Sequence, residues 1–87
     1  PEIRVDCSDE EKFALVERVK ESFRNTHRII DVDGVRVLFP EGWGLVRASN
    51  TQPALVLRFE AGTPERLAEI RRIVEDELAA VRAELGA

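Results

Sequence analysis

The stretch Arg47-Ala48-Ser49-Asn50-Thr51-Gln52-Pro53 concentrates hydrogen-bond donors. Arg47 offers a planar fork that matches two oxygens of a phosphate or carboxylate. Ser49 and Thr51 add hydroxyl donors, and Asn50 adds an amide. A tight turn through these residues would also aim several backbone N–H groups at one anion, as a nest does. Pro53 fixes the exit of the loop. This is chemistry for holding an anion, not for breaking a bond. The same residue types build ordinary polar hairpin loops, so composition leaves both readings open. Arg47 shares strand parity with Trp43 and Leu45, which places a charge at the end of an apolar face. Such a charge needs a partner, and a bound anion would serve.

Other reactive side chains have simpler readings. Cys7 alternates with Ile3 and Val5 and reads as a small core residue. His27 has no Cys or second His at metal spacing and reads as a surface residue near a helix end. Asp31-Val32-Asp33-Gly34 opens like a calcium loop, but the later ligands do not follow, and Asp33-Gly34 reads as a two-residue hairpin turn. Trp43 reads as a core or inter-domain packing residue, with sugar stacking as the other option. No Ser-His-Asp set, P-loop or dinucleotide fingerprint is present, so no catalytic and no metal-ligating residue is expected in this chain.

The elements that must hold the loop follow from periodicity. Residues Pro1 to Cys7 alternate as a strand with one buried face. Ser8 and Glu11 form a capping box ahead of a helix with Phe13, Val16, Val19 and Phe23 as its buried stripe and Leu15 beside them. Asn25 suits a left-handed helix end. Strands are expected over Arg28 to Val32, Val35 to Phe39, Trp43 to Ala48 and Leu55 to Glu60, with Pro40-Glu41-Gly42 as a turn. Thr63-Pro64-Glu65 starts a second helix, whose stripe is Leu67, Ile70, Val74, Leu78, Val81 and Leu85. The predicted class is α+β: an antiparallel sheet of about four to five strands with two helices packed on one face.

The chain has 87 residues, which suits one small domain, and its apolar content fills one core. A net charge of -4 argues against non-specific nucleic-acid binding, so any anion must be held by a local site. A lone cysteine fits a reducing compartment, and no apolar run approaches a membrane span; the expectation is a cytoplasmic protein without nucleic-acid or membrane partners. Pro1 at the start, with no Met in the chain, fits a piece of something longer.

The segments Asp33-Gly-Val-Arg-Val, Gly42-Trp-Gly-Leu-Val-Arg-Ala-Ser-Asn-Thr-Gln-Pro53 and Leu57-Arg-Phe-Glu-Ala61 resemble the C-terminal domain of the α-D-phosphohexomutases. The likeness runs along nearly the whole chain and is strongest to the phosphomannomutase/phosphoglucomutase branch. It implies a TATA-binding-protein-like two-layer sandwich. It also implies that Arg47, Ser49, Asn50 and Thr51 bind the phosphate of a hexose phosphate, while Ala48 offers only backbone. The family's phosphoserine, Mg²⁺ and sugar-recognition loops have no counterpart here. Residues 1–87 are therefore implied to be the last of four domains, whose partners are a mannose or glucose 1- or 6-phosphate and the other three domains. Mg²⁺ would be bound outside this chain, and the domain alone would be inactive. Asn50 fits the mannose/glucose mutases, whereas Gln52 departs from the commoner Glu. Two alternatives stand beside this implication: a free-standing module that senses a small anion, and an interaction module that uses the open sheet face.

Overall fold

The computed structural model describes residues 2–86. Pro1, the first residue of the expected opening strand, lies outside them. Alternating apolar residues form β1 (Ile3–Asp6), and Ser8 then caps α1 (Asp9–Arg24). The Ser8 Oγ accepts the Glu11 N–H at 3.1 Å and donates to the Glu11 carboxylate, so the pair caps the helix through the hydroxyl. Four strands follow: β2 (Ile29–Ile30), β3 (Val35–Phe39), β4 (Gly42–Ala48) and β5 (Ala54–Ala61). Thr63 caps α2 (Pro64–Gly86) by accepting the Arg66 N–H at 3.1 Å. No helix of the described residues is long and apolar enough to cross a membrane.

The five strands form one sheet in the order β1-β5-β4-β3-β2, and every neighbouring pair is antiparallel. Placing β1 beside β5 leaves β4 at the centre, flanked by β5 and β3. Val35 and Val37 of β3, Val46 of β4, and Leu55 and Leu57 of β5 turn inward and are fully buried. They pack in one core with Leu15, Val19 and Phe23 of α1 and Ile70, Val74 and Val81 of α2. The helices cover that face, which gives the expected two-layer α+β architecture.

Several local expectations are corrected. Phe13 is 58% exposed, and the inward stripe of α1 is Lys12, Leu15, Val16, Val19 and Phe23. At 100° per residue, the step from Lys12 to Phe13 turns the ring out of the interface. Leu85 is exposed as well, because the packed stripe of α2 ends at Val81. Asn25 keeps right-handed helical angles (φ -79°, ψ -18°), and its N–H bonds the Phe23 carbonyl. The strand expected over Arg28 to Val32 is only Ile29–Ile30, and residues 31–34 form a longer connection than the two-residue turn read from Asp33-Gly34. His27 is half-buried, its ring 4.8 Å from Phe39 and 5.4 Å from Phe23.

The Trp43, Leu45 and Arg47 side of β4 is the open face of the sheet, not the core side. Gly44 and Val46 face the helices instead. Trp43 stacks there under the Arg36 guanidinium, 4.4 Å from the ring centroid.

Candidate functional site

Arg47 occupies the penultimate position of β4, paired across the sheet with Val56 of β5. That register fixes the start of the loop 49–53, which turns the chain from β4 into β5. Gly34, at φ +75°, lies against the same arginine. A Cβ at Gly34 would run into the Val46 carbonyl and would stand 2.8 Å from the Arg47 Cα. Only glycine accommodates both the backbone angle and the close approach. The contact brings Asp33 to Arg47, with 3.7 Å between Oδ2 and the guanidinium. The partner read as necessary for Arg47 is thus supplied in part by the protein. The side chain itself is one-third exposed.

Internal hydrogen bonds close the loop. Ser49 N–H donates to the Ala54 carbonyl at 2.9 Å, and Ala54 N–H donates to the Gln52 carbonyl at 2.8 Å. The Ser49 Oγ accepts the N–H groups of Thr51 (3.3 Å) and Gln52 (3.2 Å). A nest of several free N–H groups is therefore not formed. The Asn50 N–H alone of this run has no partner among the described residues. The Ser49 hydroxyl proton and the Thr51 hydroxyl remain available as donors. Cys7 N–H holds the loop exit through the Pro53 carbonyl at 3.0 Å.

Lys12 completes the loop from inside, and nothing in the sequence marks it. Only 5% exposed, it donates to the carbonyls of Ser49 (2.7 Å) and Gln52 (3.1 Å) and pairs with Asp9 at 2.9 Å. The sole trace is a charge at the first position of the apolar stripe of α1.

The predicted residues divide between two walls. Arg47, Ser49 and Thr51 line one cleft of about 370 Å³ together with Glu2, Arg4 and Val56. The side of Asn50 lines a neighbouring cleft with Gly34, Phe13 and Lys20. Arg47 also borders a third cleft, of about 490 Å³, on the open sheet face, with Arg36 and Arg58. Arg36, Leu45 and Arg58 are register partners across three strands. A chain of net charge -4 thus gathers Arg4, Arg36, Arg47 and Arg58 around one corner of the sheet. Glu2 lines both of the clefts that Arg47 borders and Asp33 the larger one, so the four arginines share that face with two carboxylates. Sequence parity sets Arg4, Arg36 and Arg58 opposite the apolar residues of their strands, but it put Arg47 on an apolar face and does not say that the four converge.

Burial pushes the Cys7 thiol above its ordinary range, which disfavours the nucleophilic thiolate. Among the described residues no group of three or more His, Cys, Asp or Glu side chains could hold a metal ion.

Comparison with known proteins places this geometry in context. Residues 2–77 match the family model described as "Phosphoglucomutase/phosphomannomutase, C-terminal domain". The chain is 46% identical over 86 residues to a phosphomannomutase/phosphoglucomutase of Pseudomonas aeruginosa, a match that takes in 98% of this chain and 19% of the relative. It is 56% identical over 52 residues to a phosphoglucomutase of Neisseria meningitidis, covering 60% of this chain and 11% of the relative. The fold matches a phosphoglucomutase/phosphomannomutase family protein of Burkholderia thailandensis with a TM-score of 0.79 at 32% identity, over 94% of this chain and 17% of that one. The chain spans only 19% of the first curated relatives it matches. A match along nearly its whole length, in both sequence and fold, shows that the chain belongs to the phosphoglucomutase/phosphomannomutase family and corresponds to its C-terminal domain.

Proposed function

We propose that this domain grips the phosphate group of a hexose phosphate and closes over the active site of a phosphomannomutase/phosphoglucomutase. The parent isomerase would interconvert mannose or glucose 1- and 6-phosphates. A phosphoserine on another domain would give its phosphoryl group to the free hydroxyl, and after reorientation of the bisphosphate would take back the other phosphate. This domain makes no bond in that sequence. It holds the phosphate that is not reacting, with Arg47 as a two-pronged donor and Ser49, Asn50 and Thr51 completing the shell. Binding energy from that remote group orients the sugar and lowers the barrier at the reacting centre. Closure excludes water that would otherwise hydrolyse the phosphoenzyme.

The observation that carries this reading is the convergence of Arg47, Ser49 and Thr51 on one cleft, beside an Asn50 N–H with no internal acceptor. Arg4 and Arg58 border the same corner and strengthen its pull on a dianion. The parent's Mg²⁺ lies outside this chain in this reading, the other three domains are its partners, and the compartment is the cytoplasm. Family membership leaves the free-standing anion sensor without an observation of its own.

Titration of the isolated domain with glucose 1-phosphate, followed by amide NMR shifts, tests the reading. The expected result is movement at residues 47–51 with a dissociation constant of roughly millimolar order, since one phosphate contact offsets little more than the entropy of capture. Shifts confined to the open sheet, with residues 47–51 still, would support the interaction module and overturn the clamp.

A further inference from the structure

Lys12 is the buried charged residue of the described chain, and its ammonium ends beneath the loop 49–52. Burying an ammonium is tolerated only when its charge and its hydrogens are satisfied. Here three acceptors surround the three N–H bonds: the carbonyls of Ser49 and Gln52 and the carboxylate of Asp9. A methionine or leucine would fill the same stripe position of α1 without that desolvation cost. Two of its three contacts go to the two ends of one turn, 37 and 40 residues away in sequence.

The orientation of the Ser49–Asn50 peptide follows from this contact. No peptide bond of the described chain is cis. In a trans peptide the C=O and N–H point in opposite directions. With the Ser49 carbonyl held inward on Lys12, the Asn50 N–H must point away from the core. It is the one N–H of the loop that has no acceptor among the described residues.

We propose that Lys12 is a positioning residue for phosphate capture: it holds the loop closed from within and aims the Asn50 N–H at the bound oxyanion. The inference rests on the phosphate-clamp reading of Arg47, Ser49, Asn50 and Thr51. Lys12 does not touch the phosphate. It acts through the backbone of Ser49 and Gln52, and it ties α1 mechanically to the loop. Reorienting one donor by a fraction of a peptide rotation removes a charge-assisted hydrogen bond, which is worth about tenfold in affinity.

The test uses this chain labelled with ¹⁵N and titrated with glucose 1-phosphate. Wild type is compared with Lys12→Met and Lys12→Arg. Lys12→Met is expected to raise the dissociation constant roughly tenfold and to shift the ligand-free Asn50 amide, with the amides of Val37 and Val46 in the core unmoved. Lys12→Arg regains donors to the two carbonyls and is expected to recover most of the loss. A purely structural lysine would give Lys12→Met wild-type affinity in whatever fraction remains folded, and that result overturns the proposal. Wild type offers a second measurement should Lys12→Met not fold. The side-chain ammonium signal of Lys12 is expected to move along the same binding curve as the Asn50 amide. An unmoved ammonium alongside a shifting loop also overturns the proposal. If residues 47–51 of wild type do not respond at all, the phosphate clamp itself fails, and the Lys12 inference falls with it.

Discussion

The Asp33 carboxylate stands 3.7 Å from the Arg47 guanidinium, while the next residue, Gly34, lays its backbone against the Cα and Cβ of the same arginine. The connection between β2 and β3 thus brings an anion of the protein to the group proposed to receive an anion of the substrate.

Asp33→Asn is therefore expected to tighten binding of glucose 1-phosphate. Asp33 is 79% exposed, so the ion pair is worth only about 0.2–1 kcal/mol, and the gain is at most about fivefold at low ionic strength. High salt should erase the difference by screening. Isothermal or NMR titration at two salt concentrations checks it. Unchanged or weaker binding at low salt would show that Asp33 does not compete for Arg47.

Arg47→Lys keeps the charge but loses the fork, and its affinity for the sugar phosphate is expected to fall by about three- to tenfold. Arg47→Ala should fall further. In a full-length mutase carrying this domain, Arg47→Ala should raise KM and lower kcat together, because the clamp both binds and orients. Kinetics indistinguishable from the parent would remove Arg47 from the proposed site.

Gly34→Ala combines a left-handed backbone angle with a methyl group driven into the Val46 carbonyl and the Arg47 Cα. A cost of about 1–3 kcal/mol is expected, seen as a lower urea midpoint at unchanged slope. The same substitution should disturb the Arg47 side-chain signals without ligand. A midpoint equal to wild type would mean that the connection yields easily.

Leu57→Ala and Phe13→Ala make a matched pair. Leu57 is fully buried on an inner strand of the sheet, opposite Val46 and Ile3, and its truncation should cost about 2–5 kcal/mol. Phe13 is 58% exposed, with the Lys12 ammonium 5.2 Å from its ring, so its truncation should cost about 1 kcal/mol or less. Equal losses at the two sites would contradict the packing of α1 described here.

Much of this architecture was legible from local rules. Helix caps at Ser8 and Thr63 involve residues three apart, and the alternation in β3, β4 and β5 has a period of two. Both are nearest-neighbour effects that the sequence states directly. Phe13 misled because a helix stripe read from apolar spacing leaves out any charged member, and Lys12 is a member of this one. The Trp43, Leu45 and Arg47 parity misled for a related reason. Alternation separates the two faces of a strand but does not say which face the helices cover, and here they cover the glycine and valine side, where Gly44 leaves room for Val74.

The sequence by itself determined the α+β class, the two capped helices and the polar loop 49–53, each carried by residue type at short spacing. The residues of the proposed clamp came from the resemblance of that loop to the phosphohexomutases, since residue type alone left an ordinary turn equally open. Only the tertiary structure decided which donors remain free in that loop, because Ser49 turns its oxygen on the N–H groups of Thr51 and Gln52. It also decided that Arg4, Arg36, Arg47 and Arg58 meet at one corner, since strand register, not sequence distance, sets their separation. Lys12 belongs wholly to this second group. Its partners are backbone carbonyls, which every residue possesses, so no pattern of side chains announces the contact until the sheet and α1 have packed.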